Sequence, residues 1–141
     1  MEKKKSMNNN NKNLNNEYIA GFVHGDGSFS VGLSVQKSKK SVKLSLRPTF
    51  TITQKKAHID LMKEIWTRFN NVGFHSIDNK NIIRYRVISI KALTSVIIPF
   101  FTVHQLKYEK LLDFIKFKFI VSKLITIEKK WYSYELKNEF N

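Results

Sequence analysis

The sequence predicts an α+β domain in which a four-stranded antiparallel sheet carries helices on one face. Three observations predict it. Two long segments alternate apolar and polar residues with period two and are joined by a short basic turn. A second pair of strand-like runs flanks Asp78-Asn79-Lys80-Asn81. The segments before, between and after these hairpins place apolar residues at helical spacing. The order is therefore helix, hairpin, helix, hairpin, helices. At 141 residues the chain has the size of one domain, and a hydrophobic content of 42% suffices for a core.

Residues 1–15 are basic and Asn-rich, with only Met1, Met7 and Leu14 apolar, and read as a flexible arm. No secretory or transit signal is legible in them. The folded domain is expected over 16–127, with 128–141 as a C-terminal helix or docked tail. Asn15 or Asn16 caps the first helix, Glu17 lies in its first turn, and Asp26-Gly27 ends it. In the strand that follows, Phe29, Val31, Leu33 and Val35 point to the core, while Ser28, Ser30, Gly32, Ser34 and Gln36 point to solvent. The turn Lys37 to Ser41 leads into a return strand whose core side is Val42, Leu44, Leu46, Phe50 and Ile52. Pro48 lacks an N–H and is expected at an edge or bulge. Ile59, Met62, Ile65, Trp66 and Phe69 mark a helix from Ala57 to Asn70. Strands over Gly73 to Ile77 and Ile82 to Ile90 form the second hairpin. From Lys91 the chain reads as helical, broken near Pro99 and resuming over Tyr108 to Leu124.

Twenty-five Lys and Arg against 11 Asp and Glu leave a net charge of +14, so a polyanionic partner is expected, nucleic acid first. The absence of cysteine excludes disulfides, thiolate metal sites and a cysteine nucleophile; any metal must use oxygen or imidazole ligands. The longest apolar stretch, around Val96 to Val103, falls far short of the ~20 residues that cross a bilayer, so no membrane partner is expected. The solvent face of the sheet bears Lys43, Arg47, Arg84 and Arg86 among hydroxyls and Gln36, a mixture that suits phosphates and base edges. Polar outer faces are also ordinary in antiparallel sheets. The charge is what tilts the reading toward nucleic acid.

Gly21 and Gly25 lie four apart on one face of the short first helix, an arrangement that lets two backbones approach closely. Asp26 falls at the helix C-terminus, where the macrodipole disfavours a carboxylate and a bound cation would reverse the penalty. By itself the Gly25 to Ser28 stretch also reads as an ordinary turn in which Gly27 supplies a positive φ.

The stretch IAGFVHGDG, Ile19 to Gly27, resembles the nine-residue LAGLIDADG motif of the homing endonucleases. Ala20, Gly21, Asp26 and Gly27 match letter for letter; Ile19, Phe22, Val23 and Gly25 are conservative, and His24 departs from the pattern. The resemblance extends over an αββαββα order from about Tyr18 to Leu124. It implies a saddle-shaped sheet and a two-fold homodimer, since the motif occurs once, with Gly21, Phe22, His24 and Gly25 at the contact between motif helices. It further implies site-specific hydrolysis of both strands of a long, near-palindromic DNA, leaving 3′ overhangs. Asp26 is the implied metal-binding carboxylate, aided by the Gly25 carbonyl. TFTITQK, Thr49 to Lys55, places Gln54 near the scissile phosphate, and PFF...LKYEK, Pro99 to Lys110, supplies a basic residue, Lys107 by best match and Lys110 as fallback. Mg²⁺ is the expected cofactor, with Mn²⁺ or Ca²⁺ able to occupy the same sites.

Sequence readout is then expected from Ser30, Ser34, Gln36, Ser45, Thr51, Arg84 and Arg86, and phosphate contacts from Lys37, Lys39, Lys40 and Lys43. Relatives of the family act as intron maturases, so intron RNA is a further candidate partner, and a noncatalytic DNA-binding regulator is the other alternative. An intracellular, organellar setting follows from the family's usual intron location and from an Asn-, Lys- and Ile-rich composition that suits an AT-rich genome.

Overall fold

The computed structural model describes residues 14–139. Most of the segment read as an arm lies outside them. Leu14 and Asn15, the two arm residues inside, are tied to the domain: the Leu14 carbonyl accepts from the Arg68 guanidinium, and the Asn15 side chain accepts from the Tyr18 amide at 2.7 Å. Asn15 is thereby the N-cap of helix α1, Asn16–Asp26.

Strand β1 (Gly27–Lys37) follows α1 without a loop and pairs antiparallel with β2 (Val42–Lys55). A 3₁₀ turn, Lys56–His58, leads into α2 (Ile59–Arg68), so the helix starts later than the apolar spacing suggested. Asn70, Asn71 and Gly73 then reverse the chain with φ of 55°, 58° and 79°. Strands β3 (Phe74–Ile77) and β4 (Ile82–Val87) complete an antiparallel sheet of order β1-β2-β4-β3. Strand β4 stops at Val87, short of the expected Ile90, because Ser89 caps the next helix by accepting from the Ala92 amide.

That helical stretch runs as α3 (Ile90–Ala92), a π-helical turn (Leu93–Ile97) and α4 (Ile98–Val103). Pro99 does not break it. It stands where the π-helical turn, whose bonding the Ile98 N–H still follows back to the Leu93 carbonyl, passes into α4, and the chain leaves the helix only after Val103. Helix α5 (Tyr108–Glu139) continues through positions 128–139 instead of ending near Leu124.

The core lies between the sheet and these helices. Ile19 and Val23 of α1, Met62 and Ile65 of α2, Phe101 of α4, and Phe114, Phe117 and Val121 of α5 are buried against Phe50, Ile52, Ile83, Tyr85 and Val87 of the sheet. Phe29 is the hub at the base of β1, with ring centroids 5.2–5.6 Å from those of Phe50, Phe101, Phe114 and Phe117.

Beyond this hub the alternation persists but burial does not. Val31, Leu33, Val35, Val42, Leu44 and Leu46 were expected in the core; they lie on the core-side face of the hairpin but are exposed. Among the described residues the helices cover only the hairpin's base, and the β2–β4 ladder begins at Phe50. Pro48, opposite Val31, is past the end of β4 and has a strand neighbour on one side only, which is where a residue without an N–H is tolerated.

Candidate active site and sheet face

Asp26 is the last residue of α1 and is exposed at the seam between helix and sheet. The junction is not a turn and Gly27 has no positive φ: its backbone is extended, φ −96° and ψ 163°. Glycine is required there by proximity. A Cβ on Gly27 would lie 2.7 Å from Val23 Cγ1 and 2.8 Å from the Val23 carbonyl oxygen, which also accepts the Gly27 N–H as the helix cap. The sheet can therefore start directly under the helix end.

This close junction brings Gln54, near the end of β2, to Asp26: its Nε2 donates to Asp26 Oδ2 at 3.3 Å. The Gln54 Oε1 accepts from the Lys55 amide at 3.0 Å, which orients the side-chain amide toward the carboxylate. On the other side of the junction, Lys110 Nζ donates to the Gly27 carbonyl at 2.6 Å. Lys107 does not join this group. It is exposed and lines a groove between α1 and the chain at 103–108, together with Glu17, Gly21, His24 and Tyr108. Of the two lysines named from sequence, Lys110 is the one held beside the Asp26 junction and Lys107 the one facing the open side of α1.

That open side is where the glycines are. A Cβ on Gly21 or Gly25 would meet nothing within 4 Å, and His24 is exposed beside them, whereas Phe22 is half-buried against the core. The face is flanked by exposed Tyr18, Val103 and Tyr108. His104 Nδ1 approaches Glu17 Oε1 at 3.7 Å along the same groove.

Cross-strand register arranges the polar face of the sheet in rows. Gln36 pairs with Lys43, Ser34 with Ser45, Gly32 with Arg47 and Ser30 with Thr49. One row crosses all four strands, Ser28–Thr51–Arg86–Phe74, and the next is Thr53–Arg84–Ser76. Lys39 and Lys40 occupy the hairpin tip, closed by the Ser38 amide on the Ser41 carbonyl at 2.9 Å. Lys37 departs from this face, since it shares the core-side parity of Val35 and Val42. Phe74, 45% exposed, belongs to it and was missed, because a four-residue strand is too short to show a period in sequence. Arg84 is ion-paired with Asp78 at 2.8 Å; Arg86 has no acidic partner among the described residues. The Arg84 hydrogen bond holds the Asp78 carboxyl below the usual carboxylate range.

A short apolar helix with an open glycine face, ending in an exposed carboxylate against a saddle of basic and hydroxyl residues, is matched over residues 19–121 by the family model of the LAGLIDADG endonucleases. The chain belongs to this family. Among curated proteins it is 31% identical over 113 residues to probable intron-encoded endonuclease 2 of Neurospora crassa, covering 79% of this chain and 25% of that protein. Probable intron-encoded endonuclease 3 of the same organism is 27% identical over 98 residues, 70% of this chain and 18% of that one. Among solved structures, the LAGLIDADG homing endonuclease I-SmaMI bound to cleaved DNA superposes with a TM-score of 0.73 at 31% identity, over 82% of this chain and 38% of that one. I-GzeII in complex with its DNA target gives a TM-score of 0.73 at 34% identity over the same shares, 82% and 38%. I-SmaMI bound to uncleaved DNA with calcium ions gives 0.74 at 31% identity, over 82% of this chain and 39% of that one. The chain thus spans a quarter or less of these curated relatives and about two-fifths of the solved ones. As a LAGLIDADG endonuclease domain, it carries one motif helix, one saddle sheet and one Asp26.

Proposed function

We propose that this domain is half of a site-specific DNA endonuclease, completed by a second copy of itself across the open face of α1. The observation that carries the reading is the Asp26–Gln54 pair at the edge of a helix face that has room for another backbone at Gly21 and Gly25. Two-fold pairing through this face sets two Asp26 carboxylates near one axis and extends two sheets along one duplex. The target is accordingly long and near-palindromic, the expected products carry 3′ overhangs, and the doubled positive charge favours the polyanion.

The donor set fits a hard divalent cation. Asp26 offers carboxylate oxygens, and the Gly25 carbonyl belongs to the last helical turn, whose oxygens lack intrahelical partners. Asp26 and the Gly25 carbonyl make up one chain's share of such a site, and in this reading the second Asp26 supplies the rest. When bound, Mg²⁺, or Mn²⁺ in its place, supplies charge compensation at the phosphate and an activated water, with Ca²⁺ supporting binding. Gln54 orients the carboxylate and its nearby water; Lys110, held on the Gly27 carbonyl beside Asp26, contributes positive charge toward the phosphate, and Lys107 adds charge from the open side of α1. The hydroxyls, Gln36, Arg47, Arg84 and Arg86 read base edges, and Lys39, Lys40 and Lys43 hold phosphates.

The intron-encoded description of the curated relatives supports an intron location and an organellar setting. Incubating the protein with a randomised duplex library and Mg²⁺, with Asp26→Asn as control, and sequencing the cut ends tests the reading. Near-palindromic cut sites present only for the wild type support it. Specific binding without cutting would move the assignment to a DNA-binding regulator, and selective retention of intron RNA to a maturase.

A further inference from the structure

In sequence Asp78 is a turn residue, yet its two carboxylate oxygens do different jobs. Oδ1 accepts from the Lys80 amide at 2.8 Å and the Ile82 amide at 3.1 Å, which shapes the turn between β3 and β4. Oδ2 takes no part in the turn. It accepts from Arg84 Nη1 at 2.8 Å, across six residues of hairpin.

Arg84 lies on the polar face in the row Thr53–Arg84–Ser76. A guanidinium carries five N–H donors in a planar fork, and one contact through Nη1 leaves the Nε–Nη2 edge available. Arginine otherwise loses considerable rotamer freedom when it docks on a base. A carboxylate that already holds one nitrogen orients the fork before DNA arrives, and also removes the charge that would make Arg84 a generic phosphate binder. One row away, Arg86 has no such partner among the described residues.

We infer that Asp78 is a positioning residue that presets Arg84 to read one guanine through its O6 and N7 edge, so that this hairpin contributes base specificity more than charge. The inference rests on the sheet being the DNA-reading surface.

The two roles of Asp78 can be separated. Asp78→Asn keeps an oxygen for the Lys80 and Ile82 amides but cannot accept from Arg84 with its other atom; Asp78→Ser likewise keeps a turn acceptor without the charge. The experiment is selection of randomised duplexes by the full chain in Ca²⁺, for wild type, Asp78→Asn, Asp78→Ser and Arg84→Lys, with thermal melting of each. The expected result is an unchanged melting temperature for Asp78→Asn and a loss of about tenfold in guanine preference at one position per half-site. Arg84→Lys should lose the same preference at that position. Retention of the guanine preference by both Asp78 variants, or a change in affinity equal at all positions, would overturn the inference, leaving Asp78 as a turn former or a charge neutraliser. If the wild type itself enriches no sequence, it is the DNA-reading assignment that fails.

Discussion

Gln54 donates its side-chain amide to the Asp26 carboxylate across 3.3 Å, joining the end of strand β2 to the last residue of helix α1. Two residues 28 apart in sequence thus form one polar unit at the seam where a phosphate would arrive. Asp26→Asn keeps the shape and removes the charge, and the expected effect is a loss of roughly 10³-fold in cleavage rate, several kcal/mol of charge stabilisation, with duplex binding retained. Gln54→Ala, which leaves the carboxylate in place but unoriented, should cost about 10²-fold. Single-turnover cleavage of the selected duplex measures both, and equal rates for Asp26→Asn and wild type would remove Asp26 from the chemistry.

Gly27 and Gly21 should respond oppositely to alanine. At Gly27 the new methyl collides with Val23, so Gly27→Ala is expected to destabilise the fold by about 1–3 kcal/mol, read by urea denaturation. At Gly21 the methyl meets open space, and the isolated fold should gain about 0.5–1 kcal/mol of helix stability. The same Gly21→Ala change should weaken self-association in sedimentation and lower cleavage. Unaltered association would argue that α1 does not pair through this face.

Arg86 lies in the row that crosses all four strands, whereas Lys40 lies at the hairpin tip. Arg86→Ala is expected to cost roughly 1–3 kcal/mol at one base position, and Lys40→Ala to weaken every duplex alike while reducing the salt slope by about 1. Binding titrations at several salt concentrations on the selected site and on point variants of it separate the two. Uniform losses for both residues would contradict the division between base and phosphate contacts.

Stability should fall toward both ends of the pH scale, for identifiable reasons. Burial holds His75 below the ordinary histidine value of 6.5, and its Nε2 is buried without a partner, so the unfolded chain takes up the proton more readily. Stability is present above about pH 6.5 and declines as pH falls through the lower folded value. Burial also raises the Tyr85 hydroxyl, which donates to the Val72 carbonyl, well above its ordinary value of 10.0. Its contribution is complete below that value and is lost as the pH rises beyond it. Tyr85→Phe should abolish the alkaline step while costing about 1–3 kcal/mol at neutral pH for the unpaired Val72 carbonyl. Urea midpoints measured across pH would show an unchanged alkaline limb if Tyr85 were not responsible.

Much of the architecture was legible because period-two and helical spacing report local geometry directly. The pairs Phe29–Phe50 and Thr51–Arg86 follow from alternation once the hairpins are paired. What alternation could not reveal is where the covering layer ends. Leu33 and Leu44 look as apolar as Phe29, but among the described residues no helix covers them, and exposure depends on the neighbour and not on the residue. Likewise Pro99 reads as a helix breaker, yet the helix passes through it by way of the π-helical turn before it, a shift in bonding that local sequence does not announce.

The amino-acid sequence by itself determined the element order, the basic sheet face, the capping of α1 at its N-terminus and the nine residues, Ile19 to Gly27, that mark the family. Only the tertiary structure decided that Gln54 meets Asp26, that Lys110 and not Lys107 braces the Gly27 carbonyl, that Gly27 is required by closeness to Val23, and that Asp78 holds Arg84. The division has a physical cause. Patterns along a chain record which side of an element faces water, whereas hydrogen bonds and collisions between elements depend on distances of a few ångströms, set where separate segments pack together.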